Sequence, residues 1–211
     1  WNLLRFDGRT AAYIGYNGSV GYADNAVNVN RHLVDFSVDL FLWPGRFYVI
    51  PIIGQLLYDE FQNYKLRAAP AAGGGVHVFQ KAKQRRKHTN KFEWDIESAL
   101  GYQFTRFLSS ATGVSNPQND GFVMLRSYWK LKFVNRDVEI EIDWRTILVY
   151  TTFGNTNSNG TAKVTIKITD RFDFEPSFLF LRTRDPLPRA DGTVPEKNDY
   201  QLVVSLALSL G

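Results

Sequence analysis

The stretch KFEWDIESALGYQF, residues 91–104, alternates apolar and polar side chains almost residue by residue. Successive side chains of an extended strand point to opposite faces, so a period of two is the signature of a strand with one apolar face. Phe92, Trp94, Ile96, Leu100, Tyr102 and Phe104 share one face; Lys91, Glu93, Asp95, Glu97 and Gln103 share the other.

The same period runs outward in both directions. Val123, Leu125, Trp129, Leu131 and Phe133 oppose Arg126, Tyr128, Lys130 and Lys132. Val138, Ile140, Ile142, Trp144 and Leu148 oppose Glu139, Glu141, Asp143 and Arg145. Val164, Ile166 and Ile168 oppose Lys163, Thr165 and Lys167, and Phe172, Phe174, Phe178 and Phe180 oppose Asp173, Glu175 and Ser177. Upstream, Val34, Phe36, Val38, Leu40 and Leu42 oppose Asp35, Ser37 and Asp39, while the stretch 47–57 is apolar on both faces. The pattern predicts about ten strands, near residues 10–24, 31–43, 46–58, 62–80, 89–106, 120–134, 137–152, 160–169, 172–184 and 199–211. Pro70 and the glycines at 73–75 predict a bend or bulge within the fourth. No internal repeat, linker or second domain is visible, so 1–211 reads as one domain.

Short and long connections alternate, except that the one after strand three is short and the basic one after strand four is longer. Pro44-Gly45, Asn135-Arg136 and Asp170-Arg171 mark short turns, whereas the connections after strands one, five, seven and nine are longer and rich in Asn, Ser, Gly and Pro. That alternation is the habit of bacterial outer-membrane barrels. Composition agrees: the chain has 211 residues, 15% aromatic content and no cysteine, which excludes disulfides and thiolate metal sites. No run of about 18 apolar residues exists, so the chain has no transmembrane helix. No signal peptide is visible and Trp1 is not a natural start, so the chain reads as mature or trimmed, and a removed signal would fit export. The basic group Lys81, Lys83, Arg85, Arg86 and Lys87 reads as a solvated turn, and no nucleic-acid partner is expected.

Alternation is shared by a soluble sandwich and a lipocalin-like barrel. A sandwich needs a second sheet of matching apolar area, and no spare segment supplies one. The expected fold is therefore an all-β, antiparallel, up-and-down transmembrane barrel in the outer membrane, with Trp43, Trp129 and Trp144 in interfacial girdles. The charged face then lines the lumen, where charges need partners. A two-residue turn at Asn135-Arg136 pairs residues whose numbers sum to 271, setting Lys132 against Glu139, Lys130 against Glu141 and Tyr128 against Asp143. A three-residue turn after strand eight would bring Lys167 near Glu175. The expected lumenal ion-pair network comprises Lys65, Arg67, Glu93, Asp95, Arg126, Lys130, Lys132, Glu139, Glu141, Asp143, Lys163, Lys167, Asp173 and Glu175.

Three stretches carry a family resemblance. They are Tyr58-Asp59-Glu60-Phe61-Gln62 with Leu66-Arg67 and Ala72-Gly73-Gly74-Gly75; Phe92 to Tyr102; and Asp170-Arg171-Phe172 with the closing strand Tyr200 to Gly211. On these the chain resembles the domain-of-unknown-function 481 family, the YdiY-like salt-induced outer-membrane proteins. The resemblance implies an outer-membrane barrel and no catalytic residues. One departure is the end at Gly211, where outer-membrane strands usually close on an aromatic residue.

His32, His77 and His88 lack metal-ligand spacing, and the glycines at 73–75 precede no helix, so no metal, cofactor or phosphate loop is expected. His77 is placed toward the lumen. The reading is of a non-enzymatic barrel in contact with outer-membrane lipid, lipopolysaccharide and protein partners of an envelope complex. Its narrow lumen suits a structural or scaffolding role. A small-solute pore and a hydrolase at the extracellular rim remain as alternatives.

Overall fold

The computed structural model describes residues 2–7, 10–23, 26–43, 46–60, 62–81, 91–110, 113, 115–133, 137–151, 156–169 and 172–208. Its regular structure is entirely β: β1 (Asn2–Asp7), β2 (Thr10–Ala23), β3 (Ala26–Trp43), β4 (Phe47–Asp59), β5 (Tyr64–Ala68), β6 (Ala71–Lys81), β7 (Lys91–Phe107), β8 (Gln118–Phe133), β9 (Val138–Val149), β10 (Asn157–Lys167), β11 (Phe172–Thr183) and β12 (Asn198–Leu208). Each strand pairs antiparallel with its neighbour in sequence, except that β5 and β6 lie end to end between β4 and β7. The result is an up-and-down β-barrel whose long hairpins all run between one turn end and one loop end.

Three strand boundaries differ from the sequence reading. A short strand, β1, pairs with the first part of β2, which raises the count above ten. Residues 26–30 extend β3 where a loop was expected, so the connection before it spans only residues 24–25. The segment 62–80 is broken at Ala69 and Pro70. Pro70 has no N–H for a ladder, yet its carbonyl still accepts from Tyr102 N at 3.1 Å, so the break is local. Pro44-Gly45, Asn135-Arg136, Asp170-Arg171, residues 82–90 with His88, and Gly211 lie outside the described residues.

The β8–β9 register is the one the sequence predicts. Lys132 pairs with Glu139, Lys130 with Glu141 and Tyr128 with Asp143, each pair summing to 271. In the β10–β11 hairpin the paired residue numbers sum to 340 rather than the expected 342, so the turn is centred one residue earlier. Lys167 therefore faces Asp173 and Thr165 faces Glu175, instead of Lys167 meeting Glu175. The slip is two residues, so the polar face stays polar.

Two bulges shape the wall from β4 to β7. In β4, Pro51 and Ile52 are both exposed between buried Ile50 and Ile53. That extra residue explains a strand apolar on both faces, because the inner set changes parity at the bulge. In β5, Tyr64 pairs with Phe107 and Leu66 with Arg106, which leaves Lys65 as the extra residue.

Curvature brings distant strands together. Arg145 Nη1 on β9 lies 2.7 Å from Asp35 Oδ1 on β3, across the interior. Arg31 Nη1 on β3 lies 3.8 Å from Asp199 Oδ2 on β12, drawing the two sides of the sheet toward each other. The outer face is apolar and open: Leu42, Leu100, Leu202 and Leu206 are each about two-thirds exposed or more, at 70%, 67%, 74% and 71%.

Candidate functional site

The interior divides into two halves. At the turn end lies a cavity of about 850 Å³ that reaches from Tyr48 and Leu179 out to Asp137 beside the β8–β9 turn. Beyond it, toward Arg31 and Arg145, lies a smaller cavity of about 100 Å³ that shares Tyr13, Asp143, Thr161 and Leu179 with the first, and buried side chains occupy much of the rest of the loop end.

Arg126 organises the floor of the cavity. Its Nε and Nη2 each donate to Asp143 at 2.8 Å in a two-pronged pair, and its Nη1 lies 3.2 Å from Glu97 Oε2. Planar guanidinium matches carboxylate geometry, which makes such forks the stronger class of ion pair. Tyr48 OH donates to Glu97 at 2.9 Å. Toward the turn end, Lys130 Nζ lies 2.6 Å from Glu139 and 2.7 Å from Glu141, Lys132 Nζ lies 3.3 Å from Glu139, and Tyr128 OH donates to Glu141. On the opposite wall Lys163 Nζ lies 3.1 Å from Glu175, and Lys167 and Asp173 complete the lining. His77 Nδ1 is bonded to Asp95, with its ring stacked on Phe41 and tilted against Tyr48.

Eleven of the fourteen expected residues thus line one cavity: Asp95, Arg126, Lys130, Lys132, Glu139, Glu141, Asp143, Lys163, Lys167, Asp173 and Glu175. Glu93 sits on the inner face of β7 opposite Lys130, without an ion pair among the described residues. Arg67 is inside but far from the cavity, fully buried; its Nη2 donates to Gln55 at 3.1 Å and its guanidinium covers the Tyr64 ring. Lys65 is on the outside. The bulge turns it outward beside Leu66, and both are exposed. The sequence reading assigned neither Glu97, Asp35 nor Arg145 to the network. Glu97 had the right parity, but the Asp35–Arg145 pair joins residues 110 apart and has no cross-strand register to reveal it.

The loop-end filling combines an apolar cluster with buried polar side chains such as Gln55, Arg67, Gln103, Asp120 and Asn157. Tyr48, Ile50, Ile53, Ala69, Ala99, Phe122, Met124, Ile147 and Val149 form one buried cluster inside the barrel. These side chains occupy the inward parity of strands whose other inward positions are charged. Glycines make the room: a Cβ on Gly101 would collide with Phe122 and with the Pro70 carbonyl, and one on Gly75 with the Tyr48 ring. Leu57, Tyr64 and Phe107 form a second buried layer, against which Leu187 packs. Leu187 belongs to the β11–β12 connection, which crosses the mouth. There Gln62 Nε2 donates to the Glu196 carbonyl at 3.0 Å and Arg189 Nη2 to the Glu60 carbonyl at 3.2 Å. In the same connection Thr193 donates to Asp191 through both hydroxyl and backbone N–H, holding that carboxyl below its ordinary range.

The ion pairs give a quantitative prediction. Lys130→Ala leaves two carboxylates short of a partner, and Glu141→Ala removes one bond from Lys130 and one from Tyr128. Thermal or urea unfolding in one detergent should show both singles destabilised and the double milder than their sum, with a coupling of about 0.5–3 kcal/mol. Additive effects would contradict the pairing.

The fold and its interior define a class: a single antiparallel β-barrel with an ion-paired chamber at one end and buried apolar clusters among buried polar side chains at the other. The chain belongs to the family described as protein of unknown function, DUF481, whose model matches residues 2–209. No curated protein and no solved structure matches it.

Proposed function

We propose that the protein is a non-enzymatic outer-membrane barrel, closed to solutes, with a structural or scaffolding role in the envelope. The observation that carries this reading is the buried apolar cluster from Ile50 to Val149, which stands inside the barrel on the loop side of the 850 Å³ cavity. A diffusion pore needs a continuous wet path, and a buried apolar cluster inside the bore works against one.

The membrane setting is supported by the outer face. Its tryptophan indoles bond to hydroxyls on the same face, as polar groups facing hydrocarbon must find partners. Ser127 Oγ accepts from the indoles of Trp94 at 3.1 Å and Trp129 at 2.7 Å, and Thr146 Oγ1 accepts from Trp144 at 3.2 Å. Trp94, Trp129, Phe79 and Phe92 pack into one aromatic patch. Trp94→Arg, which puts a charge on this face, should reduce refolding into bilayers by about 2–4 kcal/mol if near the midplane. Glu93→Gln, on the inner face of the same strand, should do much less. Equal damage from both in a refolding titration would reverse the face assignment.

The setting itself is tested by fractionation and gel mobility. The protein should partition with outer membranes, require detergent and migrate differently before and after boiling. A monodisperse, detergent-free protein without a heat shift would overturn the proposal.

A further inference from the structure

Charge is distributed unevenly over the outside of the barrel. Among the described strand side chains, the charged residues on the outer face are Lys65, Arg106 and Arg182. All three are cations, all are exposed, and each lies within two residues of the loop end of its strand or in its first turn. None has an ion pair among the described residues. On the inner face, by contrast, Arg31, Arg126, Lys130, Lys132, Arg145 and Lys163 each pair with a carboxylate, while Arg67 bonds Gln55.

Two of the three are brought side by side by the β5 bulge. In a bulge, two residues of one strand oppose a single residue of the other and face the same way. Lys65 and Leu66 oppose Arg106, so the ammonium and the guanidinium emerge on one side of the sheet at neighbouring positions. Like charges set opposite each other are unfavourable. A regular strand would have turned Lys65 inward, so the bulge creates this juxtaposition. Glu60, the nearest acidic residue along the chain, is engaged by Asn30 Nδ2 at 3.1 Å. Immediately below, Tyr102 and Leu100 continue the apolar outer face of β7. A pair of unpartnered cations directly above an apolar wall has the layout of a lipid: acyl chains against the wall, phosphate between the cations.

We propose that Lys65 and Arg106 form a binding site for the phosphate of a phosphorylated lipid in the leaflet at the loop end, with Arg106 able to present two parallel N–H donors and Lys65 a point charge. The proposal rests on the membrane reading above and names its lipid partner.

The test uses the full chain refolded into phosphatidylcholine nanodiscs doped with bis-phosphorylated lipid A or with its dephosphorylated form. Lipid A retained per barrel after detergent extraction is counted by native mass spectrometry. The wild type should retain the phosphorylated form and not the dephosphorylated one. K65Q/R106Q should weaken retention about tenfold, equivalent to about 1.4 kcal/mol, while charge-keeping K65R/R106K should retain most of it. Both variants are on an exposed surface, and their heat-modifiable gel shift reports folding separately. Equal retention by K65Q/R106Q, or of dephosphorylated lipid, would overturn the site. Inorganic phosphate binding as tightly in lipid-free micelles would make it a free-anion site and overturn the lipid assignment. A wild type that folds but does not enter nanodiscs would overturn the membrane reading, and this proposal with it.

Discussion

Arg126→Met is expected to destabilise the barrel by about 3–5 kcal/mol, the range seen when one partner of a buried ionic cluster is removed. Arg126 serves both Glu97 and Asp143, whose side chains retain only 8% and 22% of their exposure. Methionine fills much of the same volume but leaves both carboxylates facing each other with no cation between them. The effect therefore reports charge rather than packing. Adding Glu97→Gln and Asp143→Asn to the same chain should restore most of the loss, because neutral amides can bond each other and need no counter-charge. Urea unfolding in a single detergent measures both steps. If the triple variant is as unstable as Arg126→Met alone, the loss comes from packing and the electrostatic account of the chamber is wrong.

Phe122→Ala is expected to cost about 3–5 kcal/mol, as large-to-small changes in well-packed sites do. Phe122 is 1% exposed and lies over Gly101, where the wall has no side chain to collapse into the space. Phe178→Ala, on the outer face at 43% exposure, should cost much less in the same assay. Comparable losses at the two positions would mean that the loop-end filling is not a packed core.

The fold was legible because period two survives wherever a strand is regular. It fixed the faces of β7, β8, β9, β10 and β11, and the β8–β9 register followed once a two-residue turn was assumed. What escaped lay where the period breaks. A bulge has no sequence period of its own, so Lys65 was counted inside, and the parity change at Pro51 and Ile52 made β4 look apolar on both sides. The charged chamber was largely readable, since its pairs are mostly neighbours on adjacent strands. The apolar filling was not. Phe122, Met124, Ile147 and Val149 keep the inward parity of the charged residues beyond them, but a narrow lumen had been expected to hold charge throughout. Contacts across the bore, such as Asp35 with Arg145, depend on curvature that no single hairpin encodes.

A blind interior is the central claim, and conductance tests it most directly. The purified full chain, inserted into planar bilayers and verified as folded by its heat-modifiable gel shift, should give no steady current above the bare membrane. Phe122→Ala should stay silent as well, since Leu57, Tyr64 and Phe107 form a second layer beyond it. A large, stable open-channel current from the wild type would contradict the closed barrel and make the protein a diffusion pore.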